Sequence, residues 1–283
     1  MNPILLDIGG SYIKCADGRK IPIDSAGPRE AIAASLRLAL GDADAAGIAI
    51  PGPFDYRNGI FLMRHKFASV YGLRFADLLS KMPEEVVPSV AKTKADAPEG
   101  TTPSGDKKIF RFMHDVNAPL AGAIRQLGLK NAALMTLGTG LGFSYALDGK
   151  VQENESGSPA ISLWNRPWNG GILEDGVSAR ALSGGYTRKS GQPCRSAYDV
   201  ACRAAAGDLV AQEVYSDLGA LLGEALRPLL EELGIRTLLM GGQISRSLNL
   251  MIRPLQNALE GVTIAQAPED AVFAGLKTLF EPK

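Results

Sequence analysis

The sequence predicts an α/β protein in which one unit is used twice, giving two domains around a central cleft. Three observations lead there. Short apolar runs alternate with helix-spaced apolar patterns along most of the chain, the mark of an α/β class with largely parallel pairing. A strand, a glycine turn, a second strand and an Asp-Gly turn occur twice in nearly the same register: Asp17-Gly18 and Asp148-Gly149 lie 131 residues apart, as do Gly9 and Gly140. Finally, 283 residues are long for one core and comfortable for two. Two Gly-rich hairpins can also resemble each other by chance, because hairpins recruit the same turn residues.

The apolar run Ile4–Ile8 ends in Gly9-Gly10; residues 12–16, Asp17-Gly18 and residues 19–23 follow, and together they read as a three-stranded meander. Residues 28–40 carry Ile32, Leu36 and Leu40 at helical spacing, with Pro28 at the start and Gly41 at the end. Residues 46–50 form a buried-type strand stopped by Pro51-Gly52-Pro53. Residues 91–108, rich in Lys, Asp, Thr, Pro and Gly, are expected to be an exposed, mobile excursion. Residues 109–113 resume an apolar run, and Asn117 can cap a helix that runs to Leu127 and stops at Gly128. The second meander comprises Ala132–Leu137, a turn from Gly138 to Gly142, residues 143–147, Asp148-Gly149 and Lys150–Val151. Beyond it the pattern is mostly helical, over residues 196–206 and 209–233, with Pro228 placed to bend the second helix. A strand at residues 237–240 ends in Gly241-Gly242, and helix, strand and helix follow at 245–259, 262–266 and 269–279. The expected domains are residues 1–113, completed by the last helix at about 268–283, and residues 114–267.

Composition excludes several classes. The formal charge is zero, so nothing electrostatic favours a nucleic-acid or membrane-surface partner. No apolar run approaches the roughly 20 residues of a membrane span. Residues 1–6 run straight into a strand-like segment without the basic start of a secretory signal. Cys15, Cys194 and Cys202 make no paired framework, which fits a reducing, cytoplasmic setting; each reads as a small buried hydrophobe or an idle thiol.

Phosphates carry dense negative charge, and backbone N–H groups can meet it where no side chain intervenes. The chain has two such turns at corresponding places. Asp7-Ile8-Gly9-Gly10-Ser11-Tyr12-Ile13-Lys14 combines glycines with a hydroxyl, a lysine and an acid, and Asp7 sits where a carboxylate can hold a hydrated Mg²⁺. Thr136-Leu137-Gly138-Thr139-Gly140-Leu141-Gly142 is the second. A third turn, Gly241-Gly242-Gln243-Ile244-Ser245, lies between a strand and a helix and can pass under a nucleoside. Each alone also reads as an ordinary tight turn. There is no Gly-x-x-x-x-Gly-Lys-[Ser/Thr] P-loop, and Gly-x-Gly-x-x-Gly fails because Phe143 holds the last position and a strand follows.

Asp115 falls at a strand end, just before a helix, at the boundary between the repeats. Phosphoryl transfer to an alcohol needs positioned phosphates, a metal, and a carboxylate to take the hydroxyl proton. Asp115 is the candidate base; the same position also suits a helix N-cap. His114 can hydrogen-bond a substrate hydroxyl or be a structural residue.

Together these motifs resemble the ROK family, named for repressors, open reading frames and sugar kinases, over nearly the whole chain. Residues 7–14 resemble its first phosphate segment, and Ile48-Ala49-Ile50-Pro51-Gly52-Pro53, with Asp55 and Gly59 after it, its Gly-Ile-Pro-Gly-Pro stretch. His114-Asp115-Val116-Asn117-Ala118 resembles its Asn-Asp-Ala-Asn-Ala, residues 137–142 its second phosphate segment, and residues 241–245 its adenosine segment. Gly171-Ile172-Leu173-Glu174 with Val177-Ser178-Ala179-Arg180-Ala181-Leu182 resembles its Gly-Cys-Leu-Glu…Ser-x-x-Ala-Leu stretch. The resemblance implies an actin-like (ribonuclease H-like) fold, similar to hexokinase, closing over ATP and a sugar. It implies a sugar kinase, glucokinase-like, that phosphorylates a hydroxyl of a hexose or aminosugar, with Asp115 as general base. ATP and phosphate contacts would come from Asp7, Gly9, Gly10, Ser11, Lys14, Thr136, Gly138, Thr139, Gly140, Gly142, Gly241, Gly242 and Gln243. Sugar contacts would come from Gly52, Pro53, His65, His114, Asp115 and Glu174, and Mg²⁺ would be held by Asp7 through water. Family members are commonly homodimers.

Three departures stand out. The family asparagine before the base is His114. The Gly-Glu-x-Gly-His segment is replaced by Pro159-Ala160-Ile161-Ser162-Leu163, without its carboxylate and imidazole. The Cys-x-Cys-Gly-x-x-Gly-Cys zinc segment is absent, since residues 164–170 carry no cysteine, so no zinc is expected; Trp164 and Trp168 are expected either to hold the loop by packing or to be simple core residues. These departures keep open a catalytically idle sugar- or nucleotide-binding protein. A sugar-responsive transcriptional regulator is disfavoured, because it needs a helix-turn-helix ahead of the first phosphate segment and this sequence starts only a few residues before Asp7.

Overall fold

The computed structural model describes residues 2–80, 100–101 and 107–282. The chain divides into two compact units, one of residues 1–122, 153–158 and 272–283, the other of residues 123–152 and 159–271.

In the first unit, β1 (Ile4–Ile8), β2 (Tyr12–Cys15) and β3 (Lys20–Pro22) form the expected antiparallel meander. Helix α1 (Arg29–Leu40) starts after Pro28, stops at Gly41 and buries Ile32, Leu36 and Leu40 as their spacing requires. Strand β4 (Ala45–Ile50), between two parallel neighbours, is buried at every residue, as in parallel sheets covered on both faces. A hairpin of β5 (Phe54–Asp55) and β6 (Ile60–Phe61) and the short helix α2 (Phe75–Leu79) follow. Phe54 meets Phe61 edge-on at 5.2 Å between ring centroids, and Phe112 lies 5.1 Å from Phe54, so aromatic rings fill this core. Strand β7 (Gly100–Thr101) pairs antiparallel with the start of β8 (Lys107–His114), so β8 begins inside the stretch expected as an excursion; most of that stretch lies outside the described residues. The sheet order is β3-β2-β1-β4-β8-β7, with β1, β4 and β8 mutually parallel.

Helix α3 (Asn117–Leu127) starts at Asn117, which the sequence casts as its cap. Instead Asn117 is the first helical residue, fully buried, and its amide donates to Glu153 Oε1 at 3.2 Å and to the Gly157 carbonyl at 3.3 Å. The buried amide finds its acceptors in the 153–158 loop, a distant segment of sequence that spacing could not bring forward.

In the second unit, β9 (Ala132–Leu137), β10 (Leu141–Leu147) and β11 (Lys150–Val151) repeat the meander. Leu137 pairs with Leu141, so the turn is only Gly138-Thr139-Gly140, and Gly142, expected in the turn, is a strand residue opposite Thr136. A hairpin of β12 (Pro167–Trp168) and β13 (Gly171–Ile172) leads to α4 (Leu173–Val177) and α5 (Ala179–Ser190). Helix α6 (Ala197–Ala205) is capped by Ser196, and α7 (Leu209–Glu232) by Asp208, each accepting a backbone N–H at 3.1 Å. Strand β14 (Thr237–Gly241) is followed by a 3₁₀ turn (Ile244–Ser247) before α8 (Leu248–Ala258), where one continuous helix is expected from the sequence. Strand β15 (Thr263–Gln266) completes the order β11-β10-β9-β14-β15. The last helix, α9 (Ala271–Thr278), runs back into the first unit.

Setting aside the hairpins β5-β6 and β12-β13 and the edge strand β7, each sheet therefore reads third, second, first, fourth and fifth strand, which is the duplication expected. The register corrects its detail. Four residues separate the paired Ile8 and Ile13, but three separate Leu137 and Leu141. Gly9 thus corresponds to Gly138 and Asp7 to Thr136, not Gly9 to Gly140; the shared 131-residue offset is real only at the Asp-Gly turns.

Candidate functional site

The parallel strands β1, β4 and β8 end side by side, with Asp7 opposite Ala49, Ala49 opposite Met113 and Ile50 opposite His114. In α/β sheets ligands bind beyond the carboxyl ends of such strands, where the loops diverge. Here those ends deliver Asp7 with Gly9-Gly10, then Pro51-Gly52-Pro53, then His114-Asp115.

The first glycine turn is close-built. Gly9 N–H donates to the Tyr12 carbonyl at 2.9 Å and the Gly10 carbonyl accepts Ser25 N–H at 3.0 Å. A Cβ at Gly9 would lie 3.2 Å from Tyr12 O, and one at Gly10 3.3 Å from Ser25 Oγ. Ser11 and Lys14 are exposed, and Lys14 Nζ donates to Asp7 Oδ2 at 2.9 Å. Burial pushes the Asp7 carboxyl up, the Lys14 ammonium only partly offsets it, and the Asp115 charge adds to the rise.

Asp115 lies 2.8 Å from His114 Nδ1 through its Oδ1. Burial raises its pKa, but the His114 charge and hydrogen bond, Lys66 and the Val116 N–H together outweigh that and hold it below the ordinary carboxylate value. Helix α3 begins two residues later, so Asp115 stands one position ahead of the N-cap, the role that competed for it. The His114 ring also packs against Tyr56, with centroids 5.5 Å apart, and a Cβ at Gly52 would meet His114 Nε2 at 3.2 Å and Tyr56 Oη at 3.3 Å. Gly52 is therefore a packing requirement of the His114–Tyr56 pair. The adjacent Pro53 is exposed.

Three neighbours escaped sequence reasoning. Tyr56 is buried, donates to the Ile50 carbonyl at 3.0 Å, and has its phenol pushed well up by burial and by the charges of Asp115 and Glu153. Glu153, raised by burial and lowered in part by Asn117, belongs to the 153–158 loop. Lys66 is the cation felt at Asp115, whereas His65, the residue singled out, is exposed and makes no hydrogen bond or ion pair among the described residues. No spacing rule marks these three; the basic run Arg64-His65-Lys66 is the only visible signal.

In the second unit, Gly138 N–H donates to the Gly140 carbonyl at 3.0 Å, its own carbonyl accepts Ala179 N–H at 2.8 Å, and Thr139 is the exposed tip. Glu174, assigned from the resemblance to the sugar, is brought to this turn: its Oε2 accepts Leu141 N–H at 2.9 Å. Gly241 lies over Thr136, and Gly242 has φ 82 with the Leu137 carbonyl 2.3 Å from where a Cβ would be, so only glycine fits. Gln243 is exposed ahead of the 3₁₀ turn.

The loop expected to rest on two tryptophans uses one. Trp168 packs against the core, but Trp164 is 49 % exposed and only its carbonyl is used, accepting Glu174 N–H at 3.1 Å. Among the described residues no three His, Cys, Asp or Glu side chains group as a metal site. A hydrated Mg²⁺ asks for less, one or two carboxylates beside substrate phosphates, and the Asp7 Oδ1 left over from the Lys14 contact suits that. Among the described residues no helix is long and apolar enough to cross a membrane.

No family model and no curated protein is matched by the sequence. Solved structures are matched over nearly the whole of this chain. A ROK family protein from Streptococcus pneumoniae, in complex with sucrose, is 20 % identical with a TM-score of 0.72, covering 96 % of each chain. A ROK family glucokinase from Streptomyces griseus, in complex with glucose and AMPPNP, is 18 % identical with a TM-score of 0.71, covering 98 % of each. The fold is the ROK fold. It does not separate activities, since a ROK family transcriptional regulator, a homolog of the E. coli MLC protein, matches at 18 % identity and a TM-score of 0.72 over 98 % of this chain and 80 % of that one. What the ROK fold does here depends on the residues it carries.

Proposed function

We propose that the protein transfers the terminal phosphoryl group of ATP to a hydroxyl of a small sugar, a hexose or aminosugar, with Asp115 as the general base. The observation that carries the reading is the convergence of Asp7, a close-built glycine turn and Asp115 at neighbouring parallel strand ends within one unit. Asp115 accepts the hydroxyl proton as that oxygen bonds to phosphorus and the bond to the leaving ADP breaks. Its lowered pKa keeps it ionised, and thus able to accept, at neutral pH. Gly9 and Gly10 let backbone approach the phosphates. Mg²⁺ beside Asp7 would neutralise phosphate charge. The reading assigns the second unit's turns, at Gly138 to Gly140 and at Gly241 to Gln243, to the same nucleotide, and closure of two domains over it is part of the proposal. The sugar and AMPPNP bound in ROK-fold neighbours support it by fold alone.

A panel of hexoses and aminosugars with Mg-ATP tests it: at least one should release ADP above background. Asp115→Ala should then lower kcat by about a hundredfold or more while ATP still binds; near-normal turnover in that variant overturns the mechanism. A catalytically idle binding protein is the second reading, favoured by the lost acid and imidazole at residues 159–163; silence across the panel with ATP still bound selects it.

A further inference from the structure

The segment after β6 is fastened to the first glycine turn. The Gly10 carbonyl accepts Ser25 N–H at 3.0 Å, and the Ser25 carbonyl accepts Phe67 N–H at 2.6 Å. Phe67 is fully buried, 5.7 Å from Phe61 between ring centroids, and holds a left-handed backbone at φ 53. Bulky residues avoid that conformation, and where it persists the surroundings impose it, often at functional sites.

Lys66 immediately precedes Phe67. Its stem passes the turn, since a Cβ built at Gly10 would lie 3.8 Å from Lys66 Cε and 3.9 Å from Cδ. Its charge is felt at Asp115. It is half-buried, and among the described residues its ammonium makes no hydrogen bond or ion pair. Lys14, the cation that the sequence pointed to, is instead engaged with Asp7 and is 62 % exposed. An ammonium that reaches no described carboxylate within ion-pair distance, tethered at a turn of bare backbone and acting through space on the candidate base, is placed to meet an anionic ligand there. An ammonium is a compact point charge with three donors, suited to phosphoryl oxygens.

Resting on the kinase reading, we propose that Lys66 grips the terminal phosphoryl group of the bound nucleotide and stays on it as it passes to the acceptor hydroxyl. Calorimetric titration of the full chain with AMPPNP and with ADP, each with Mg²⁺, tests this on the wild type, Lys66→Met and Lys66→Arg. Lys66→Met is expected to weaken AMPPNP about tenfold or more, while ADP, which lacks the terminal group, changes less than about twofold; Lys66→Arg should recover most of the loss. Retained ADP binding shows that the variant is folded. Loss of both nucleotides equally, or of neither, overturns the inference. A wild type that favours AMPPNP through Lys66 but turns over no sugar upholds the inference and removes the sugar-kinase reading. A wild type active on a sugar, whose Lys66→Met variant keeps AMPPNP affinity and kcat, does the reverse. A wild type that binds neither nucleotide overturns both.

Discussion

The Glu174 carboxylate accepts the Leu141 N–H at 2.9 Å, at the edge of the second glycine turn. Leu141 is only 7 % exposed, so in Glu174→Ala its N–H loses a charged acceptor with little water to replace it. The expected cost is about 1–3 kcal/mol in urea unfolding. Glu174→Gln keeps an acceptor oxygen and should lose much less. Unchanged stability in both variants, with a raised sugar KM, would instead support the sugar contact expected of Glu174.

His114 holds Asp115 in its acidic range, so His114→Phe, which keeps a ring against Tyr56 but lacks Nδ1, should raise the Asp115 pKa. Asp115 must be ionised to accept a proton, so the acid limb of the pH–rate profile should move to higher pH. The stability that Asp115 contributes is present above its unfolded value, about 3.9, and is lost as pH falls through its lower folded value. The variant should therefore lose part of that contribution at neutral pH. An acid limb at the wild-type position would remove the coupling.

Asp7 has the opposite sign. Its folded pKa is raised by burial, so its ionised form opposes folding above that pKa, and stability from this group rises as pH falls toward the ordinary value. Asp7→Asn should be at least as stable as wild type at pH 7 while weakening Mg-dependent nucleotide binding, the usual exchange of stability for function. Lys14→Met should destabilise at pH 7 by less than about 1 kcal/mol, because the ammonium is largely solvated, and the difference should shrink toward pH 4. Urea midpoints across pH measure both.

Gly275 of α9 sits where a Cβ would lie 1.9 Å from the Ala118 carbonyl of α3. Alanine favours a helix over glycine by about 1 kcal/mol. Backbone overlap costs about 3 kcal/mol or more, so the clash decides the sign. Gly275→Ala should lower the unfolding midpoint and, because Ala118 is three residues from Asp115, reduce turnover in parallel.

Much of the fold was legible because its signals are local. Alternation and paired Gly or Asp-Gly turns placed β1 to β3 and β9 to β11, and the all-apolar run at Ala45–Ile50 marked a strand buried on both faces. The register of the second turn was not legible, since Gly142 reads as turn by composition and only pairing with Thr136 shows it to be strand. The site divides the same way. Asp7, Gly9, Gly10 and Asp115 lie at strand ends that periodicity locates. Tyr56, Lys66 and Glu153 reach the same place from loops between elements, and the three-dimensional partners of a loop leave no period in the sequence. Glu174 shows the same limit: its residue type fits a sugar hydroxyl or a backbone N–H, and only its distance to Leu141 reveals the contact it makes in this fold.

The chain passes between its two units four times, after residues 122, 152, 158 and 271. Helix α9 rests on α3 at Gly275 and Ala118, next to the strand end that bears Asp115. During synthesis the first unit therefore emerges first yet remains unfinished until residues near 280 have left the ribosome, so severing the chain after residue 122 would yield a fragment lacking the helix that closes its own core.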